Sequence, residues 1–511
     1  MRKGFLIMLA VVLVAAMAAP AVAGTDINGF YRAKAWVSNF RSTATYPGLQ
    51  KDAPASGFVE QRLRLKFASG EENVKAVAFF EIDFAAWGDG AGGTAVAISD
   101  NNGFTSTGTT PYYDTRGALR NSGGALGADR INLETKNVYV WFKLPNTSLD
   151  FTVGLQNQTD AYAGLLFGAA DFAGVFVNGK MDPVSYTLGW AKLYENASAK
   201  ADDFTLYLAS AKFAPTKDVK LGLNFYFLQD DTGKVASTLP VTGSASVVNY
   251  PYALSYDSLW SQISGLNKKR IYIPGIDFAV NAGPATVSGF FIYETGKVDF
   301  LSASNTDINL KGFAFDLRGD MNVGPGKAFI EGLYISGGDN NAKEVKSIAT
   351  FSDFDASPGG NSAFGRTDMS ILLVNADDIN CAQSLVGARS VPSKGSTSPA
   401  LGGRGLTHLA AGYTQKLGDK LTAKVGAGYL RANKLMLSEN TGAGTDKKGK
   451  TLGTEVNANV NYNIMKGLDF GVYGAYAWLG DYFQQRTAGT TVTTADPDNI
   501  WSANMRLNYA F

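Results

Sequence analysis

The sequence predicts a single antiparallel transmembrane β-barrel of about 18 strands (16–18). Three observations predict it. First, the last eleven residues alternate without a break. Trp501, Ala503, Met505, Leu507, Tyr509 and Phe511 share one parity; Ser502, Asn504, Arg506, Asn508 and Ala510 share the other. Side chains of a strand point alternately to its two faces, so this strand has an apolar and a polar side. Second, stretches of the same kind recur along the chain. Tight Pro/Gly/Asp turns and long Ser/Asn/Gly-rich connections alternate strictly between them, as short turns on one barrel rim and long loops on the other would require. Third, beyond residue 19 no apolar run approaches the roughly 20 residues a membrane helix needs. Only helices and closed barrels satisfy every backbone group in lipid.

The elements follow in order. Arg2 and Lys3 precede an apolar run from Phe5 to Ala19 and the ending Pro20-Ala21-Val22-Ala23. These are the parts of a cleaved secretory signal, so 1–23 are set aside and the barrel is expected over 24–511. In the first expected strand, 27–39, Arg32 and Lys34 oppose Tyr31, Ala33, Ala35 and Val37. In the second, 59–68, Glu60, Arg62, Arg64 and Lys66 alternate with Val59, Gln61, Leu63, Leu65 and Phe67. A 3.6-residue period would scatter those charges around an axis, so a helix is excluded. In the third, 75–85, Lys75, Glu81 and Asp83 oppose Ala76, Ala78, Phe80, Ile82 and Phe84. A long loop is expected over 87–131.

Paired strands are then expected at 132–144 and 149–157, 175–181 and 184–194, and 204–213 and 219–228. A second long loop covers 230–269. Pairs at 275–282 and 286–294, and at 309–321 and 327–336, turn at Gly283-Pro284 and Gly324-Pro325-Gly326. The longest loop covers 337–405, and pairs at 407–416 and 421–432, and 454–463 and 468–479, precede the closing strand. An even count puts both ends of the barrel on the short-turn rim. A sandwich rarely holds so many strands in one domain, and the 40–50-residue repeat of a propeller is missing.

Composition narrows the function. Among 511 residues, 46 Lys and Arg balance 45 Asp and Glu for a net charge of +1, which offers nucleic acid no bulk attraction. One cysteine, Cys381, and one histidine, His408, leave no disulfide framework and no Cys/His metal set. A His-based catalytic pair would rest on His408 alone, so no enzyme and no cofactor is expected. Asp353, Asp355, Asp377 and Asp378 lack the ordered ligand spacing of a Ca2+ loop.

The terminal Phe511, with Tyr509 and Leu507, resembles the C-terminal assembly signal of Gram-negative outer-membrane barrels, and the mature length resembles the bacterial porins in pattern. The resemblance implies passive diffusion of small hydrophilic solutes through a water-filled barrel. It implies lipid and the barrel-assembly machinery as partners, and it leaves a homotrimer open. Independently, barrels of about 16–18 strands are too wide for side chains to fill. The polar parity is then the pore wall: Arg32, Lys34, Glu60, Arg62, Arg64, Lys66, Lys75, Glu81 and Asp83. An Arg or Lys facing lipid at the midplane would cost about 2–4 kcal/mol. Arg62, Arg64 and Lys66 make a basic ladder that favours anions, with Glu81 and Asp83 partly neutralising it. Trp190, Tyr194, Trp478, Trp501 and Tyr509 read as interfacial aromatics. A channel for one substrate class such as an anionic oligosaccharide, an adhesin, and a sheath around a periplasmic partner share this architecture. The last would bring its own redox group, because the chain has no CxxCH.

Overall fold

The computed structural model describes residues 24–40, 51–52, 54–87, 133–168, 170–195, 201, 203–231, 266–300, 307–338, 344–346, 348, 366, 368–373, 405–435, 449–484 and 496–511. The expected signal segment, Cys381, the four loop aspartates and most of the three long loops lie outside them.

Nineteen strands are described: β1 (Thr25–Ser38), β2 (Ser56–Glu71), β3 (Val74–Ala86), β4 (Glu134–Lys143), β5 (Asp150–Gln158), β6 (Ala170–Met181), β7 (Val184–Tyr194), β8 (Phe204–Thr216), β9 (Val219–Asp230), β10 (Leu266–Ala282), β11 (Ala285–Phe300), β12 (Ile308–Val323), β13 (Gly326–Ile335), β14 (Glu344–Val345), β15 (Leu406–Lys416), β16 (Leu421–Ala432), β17 (Thr451–Met465), β18 (Leu468–Leu479) and β19 (Ile500–Ala510). Eighteen of them pair antiparallel around a closed ring, in which β13 meets β15 directly and β19 returns to β1. The two-residue β14 adds in parallel to β12. Closure leaves no unpaired edge, the condition for a sheet in lipid.

Alternation fixes which face is which. Leu221, Leu223 and Phe225 of β9, Leu317 of β12, Ile330 of β13, Val460 of β17 and Met505 of β19 are exposed on the outside. Their chain neighbours point inward. A one-residue slip in any strand would exchange the two sets, so the register is strongly held. Tight turns close one rim, and Gly283 (φ 65°) and Gly324 (φ 56°) supply the left-handed residues that the β10–β11 and β12–β13 turns require. The chain end closes the seam on that same rim. Phe511 donates its N–H to Gly29 O at 3.0 Å and accepts from Gly29 N–H at 2.9 Å. Trp190, Trp478, Tyr509 and Phe511 are exposed and Trp501 is half-buried; the side chain of Tyr194 lies outside the described residues.

Three boundaries differ from expectation by five residues or more. β6 begins at Ala170 rather than 175, β11 ends at Phe300 rather than 294, and β10 begins at Leu266 rather than 275, which takes the last residues of the loop set at 230–269. The reason is local. Near the long-loop rim both parities become apolar, as in Ile271-Tyr272-Ile273, because the inner face there is covered by protein rather than water. The core therefore lies inside the barrel. Phe204 and Leu206 of β8, Tyr226 and Leu228 of β9, Ile271 and Ile273 of β10 and Ile292 of β11 pack in one cluster with Tyr162, Leu166 and Phe167, from the connection between β5 and β6. Ile371 and Leu372, from the connection between β14 and β15, belong to the same cluster.

Candidate functional site

The lumen is the site. Register and parity deliver charged side chains from β1–β4 to one stretch of its wall. In the β1–β2 ladder Arg32 lies opposite Arg62, Lys34 opposite Glu60 and Asn28 opposite Lys66. Lys34 also lies opposite Arg506 across the seam. Arg32, Lys34, Glu60, Arg62 and Glu81 are buried in the interior, while Arg64, Lys66 and Lys75 are half-exposed within it. Glu81 sits between two ladder cations. It lies 3.9 Å from Arg62 Nη2 and accepts a bond from Arg64 Nε. Lys136 of β4 pairs with Asp171 at 2.7 Å. Lys66 and Lys75 make no ion pair among the described residues. The expected ladder is thus present but uneven, with neutralisation at its Arg62–Arg64 end and two lysines left toward the turn rim. Asp83 lies in β3, and its side chain is outside the described residues.

Across the ring the wall is organised differently. β12 stands nine steps from β3 around the eighteen-strand circuit, hence opposite it. Here Arg318 donates to Asp320 at 3.0 Å and to Glu331 at 2.8 Å, and stacks on the Phe329 ring at 4.1 Å. Lys327 approaches Asp320 at 3.4 Å. Arg366 pairs with Asp316, and Lys424 with Asp368. These four carboxylates and four cations balance. Arg366 and Asp368 belong to the inward-folded segment between β14 and β15, so the ion pairs fasten that segment to the wall. Glu455 of β17 completes the clamp. Fully buried, it accepts the backbone N–H groups of Ser370 (2.5 Å), Ile371 (3.0 Å) and Leu372 (2.8 Å). His408 is buried in the same wall, its Nδ1 4.0 Å from Glu331.

A second segment, 159–168, is knotted by one carboxylate. Asp160 accepts from the backbone N–H groups of Tyr162, Gly164, Leu166 and Phe167 at 2.5–2.8 Å. This turns Tyr162, Leu166 and Phe167 toward the apolar inner wall, where Tyr162 meets the rings of Tyr226 and Phe290. Burial pushes the Asp160 carboxyl up to about 6 against the downward pull of the four N–H groups. Gly275 leaves room for this packing, since a Cβ there would lie 2.3 Å from Tyr162 Oη.

Reasoning from sequence assigned the basic ladder and Glu81 but missed both inward segments. The available signal was the loss of alternation: Phe225-Tyr226-Phe227-Leu228 and Phe290-Phe291-Ile292 are apolar on both parities, which a wall facing only water would not tolerate.

A closed antiparallel ring, apolar outside and charged within, with chain segments folded into its lumen, defines a β-barrel of the porin architecture. Solved structures agree at the level of fold. The chain is similar to Pseudomonas aeruginosa OpdL, at 9% identity and a TM-score of 0.50 over 95% of this chain and 98% of that one. It is likewise similar to Acinetobacter baumannii OccAB2, at 10% identity and a TM-score of 0.50 over 96% and 98%. No protein-family model matches the chain, and no curated protein matches it in sequence.

Proposed function

We propose that the chain is an outer-membrane diffusion channel for small hydrophilic solutes, with a preference for anions. The observation that carries this is the asymmetry of the lumen. Cations on β1–β4 face a charge-balanced network on β12–β16, so the basic wall is left to set the field an entering ion meets. Lys66 and Lys75 have no ion pair among the described residues, and four cations share their cavity with the one carboxylate of Asp26. Barrels of this size exceed what their own side chains fill, and the inward segments narrow the passage without adding net charge at the β12–β16 wall. An apolar exterior suits lipid contact, since every outward charge would be penalised.

Liposome swelling tests the reading. Vesicles carrying the purified barrel should swell in small sugars and amino acids, and faster with small anions than with cations of equal size. Vesicles that stay intact in all of them would contradict diffusion and favour an occluded barrel that sheathes or binds another protein.

A further inference from the structure

The turn-rim half of the basic wall holds a cavity of about 730 Å3, within the roughly 300–1,000 Å3 typical of small-molecule sites. Its lining is not that of a plain water-filled wall. Arg64, Lys66, Lys75 and Lys136 contribute four cations to the lining, against the single carboxylate of Asp26. Asn28, Asn137, Gln156, Asn157 and Gln158 contribute side-chain amides. Trp141 lies directly opposite Lys75 in the β3–β4 register, and its indole N–H donates to Asp150 at 3.2 Å, which fixes the ring. Tyr139 follows on the same face of β4.

We infer that this cavity is a binding site for a phosphorylated, polyhydroxylated solute of sugar-phosphate size. The inference rests on the diffusion-channel reading and names the solute class it favours. Each part of such a solute meets a matching group. A phosphate monoester carries about −1.5 to −2 charges at neutral pH. Lysine ammoniums are compact point charges that serve its three oxygens from several directions, and a nearly divalent anion gains more from several converging cations than a singly charged carboxylate does. The one arginine here, Arg64, already gives its Nε to Glu81, and Lys66 and Lys75 are the cations without an ion pair among the described residues. Amide side chains both donate and accept, as hydroxyl groups require. A pinned indole offers a flat apolar surface to a ring face. Lys66 lies opposite Asn28, and Lys75 opposite Trp141, so charge recognition sits beside hydroxyl recognition in one case and beside ring recognition in the other.

Block of single-channel current in planar bilayers tests the site, with glucose 6-phosphate, inorganic phosphate, gluconate and glucose as probes on the turn side. Glucose 6-phosphate should interrupt the current at the lowest concentration. Lys66→Gln with Lys75→Gln should weaken that block about tenfold or more, a step worth 1.4 kcal/mol. Trp141→Ala should weaken block by glucose 6-phosphate but leave block by inorganic phosphate unchanged. Lys217→Gln, on the β8–β9 turn of the same rim, should change none of these. Equal block by gluconate and glucose 6-phosphate would overturn the inference, as would block insensitive to the lysine pair. Open-channel current with no block by any probe would overturn it while leaving the diffusion channel intact. A correctly folded barrel that carries no current would overturn both.

Discussion

Two stretches of the lumen wall, β1–β4 and β12–β16, are both dense in charge yet are built differently. On β1–β4 the described charges sit on the strands, and Lys66 and Lys75 have no ion pair among the described residues. On β12–β16 the charges are shared between strands and an inward segment, and they cancel: Asp316 with Arg366, Asp368 with Lys424, Asp320 and Glu331 with Arg318 and Lys327. Pairing holds chain; its absence leaves field. Interior ion pairs are costly to break because the remaining charge is left desolvated, so the second wall is suited to fastening the constriction. Under the proposed channel function the first would attract anions, through Lys66 and Lys75. A charge in a channel is therefore read through its partners before its sign.

Substitutions should separate the two roles. The largest effect is expected from Glu455→Ala, which removes the acceptor of three backbone N–H groups. Each buried donor left unsatisfied costs about 1–3 kcal/mol, enough to free the 368–373 segment while the ring stays closed. Single-channel conductance should rise clearly, with reversal potential almost unchanged. A conductance equal to the parent's would show that the segment is held by its ion pairs alone.

Next in size is the triple change Arg62→Glu, Arg64→Glu and Lys66→Glu. These positions are spaced by two residues, roughly 6–7 Å, inside the ~8–10 Å screening length at moderate salt, so their potentials add. Reversal potential should move strongly toward cations, with little change in conductance at high salt. A loss of folded barrel instead would mean that the ladder holds structure on this wall too.

The smallest effect concerns pH and the 159–168 segment. The Asp160 carboxyl titrates near 6 when folded against an ordinary 3.8, so the folded segment holds a proton more tightly than the free chain. The associated stability is full below about pH 4 and fades as pH rises through 6. Going from pH 7.5 to 5 should therefore tighten the segment, on the order of 1 kcal/mol. Hydrogen exchange of the Leu166 and Phe167 amides, corrected for intrinsic rates, should slow at pH 5. Faster exchange there would mean that the four N–H bonds outweigh burial and that the carboxylate is the preferred form.

Most of the barrel was legible in the sequence because alternation and turn chemistry are local. All eighteen ring strands, the turn rim, and the inward parity of Arg32, Lys34, Glu60, Arg62 and Glu81 follow from period-two patterns and Pro/Gly turns. The closing strand is plainest, since Trp501 to Phe511 never breaks step. The lumen filling was not legible in the same way. Asp160 gives no sign in sequence of gathering four N–H groups. Nor does Glu455, one of several inward polar residues in β17, announce that it holds a segment some 85 residues away. Such contacts depend on where a loop folds back, which no strand period encodes. The double-parity apolar runs at the loop ends of β9 to β11 did carry the information that something covers them, without saying what.

The division between the walls is tested most directly by the reversal potential of the native channel in a KCl gradient at low ionic strength, repeated as salt is raised. Lys66 and Lys75, without an ion pair among the described residues, and a balanced network on β12–β16 predict an anion preference that declines toward none as screening grows. A cation preference at low salt would contradict this, because it would place the controlling field on carboxylates rather than on Lys66 and Lys75.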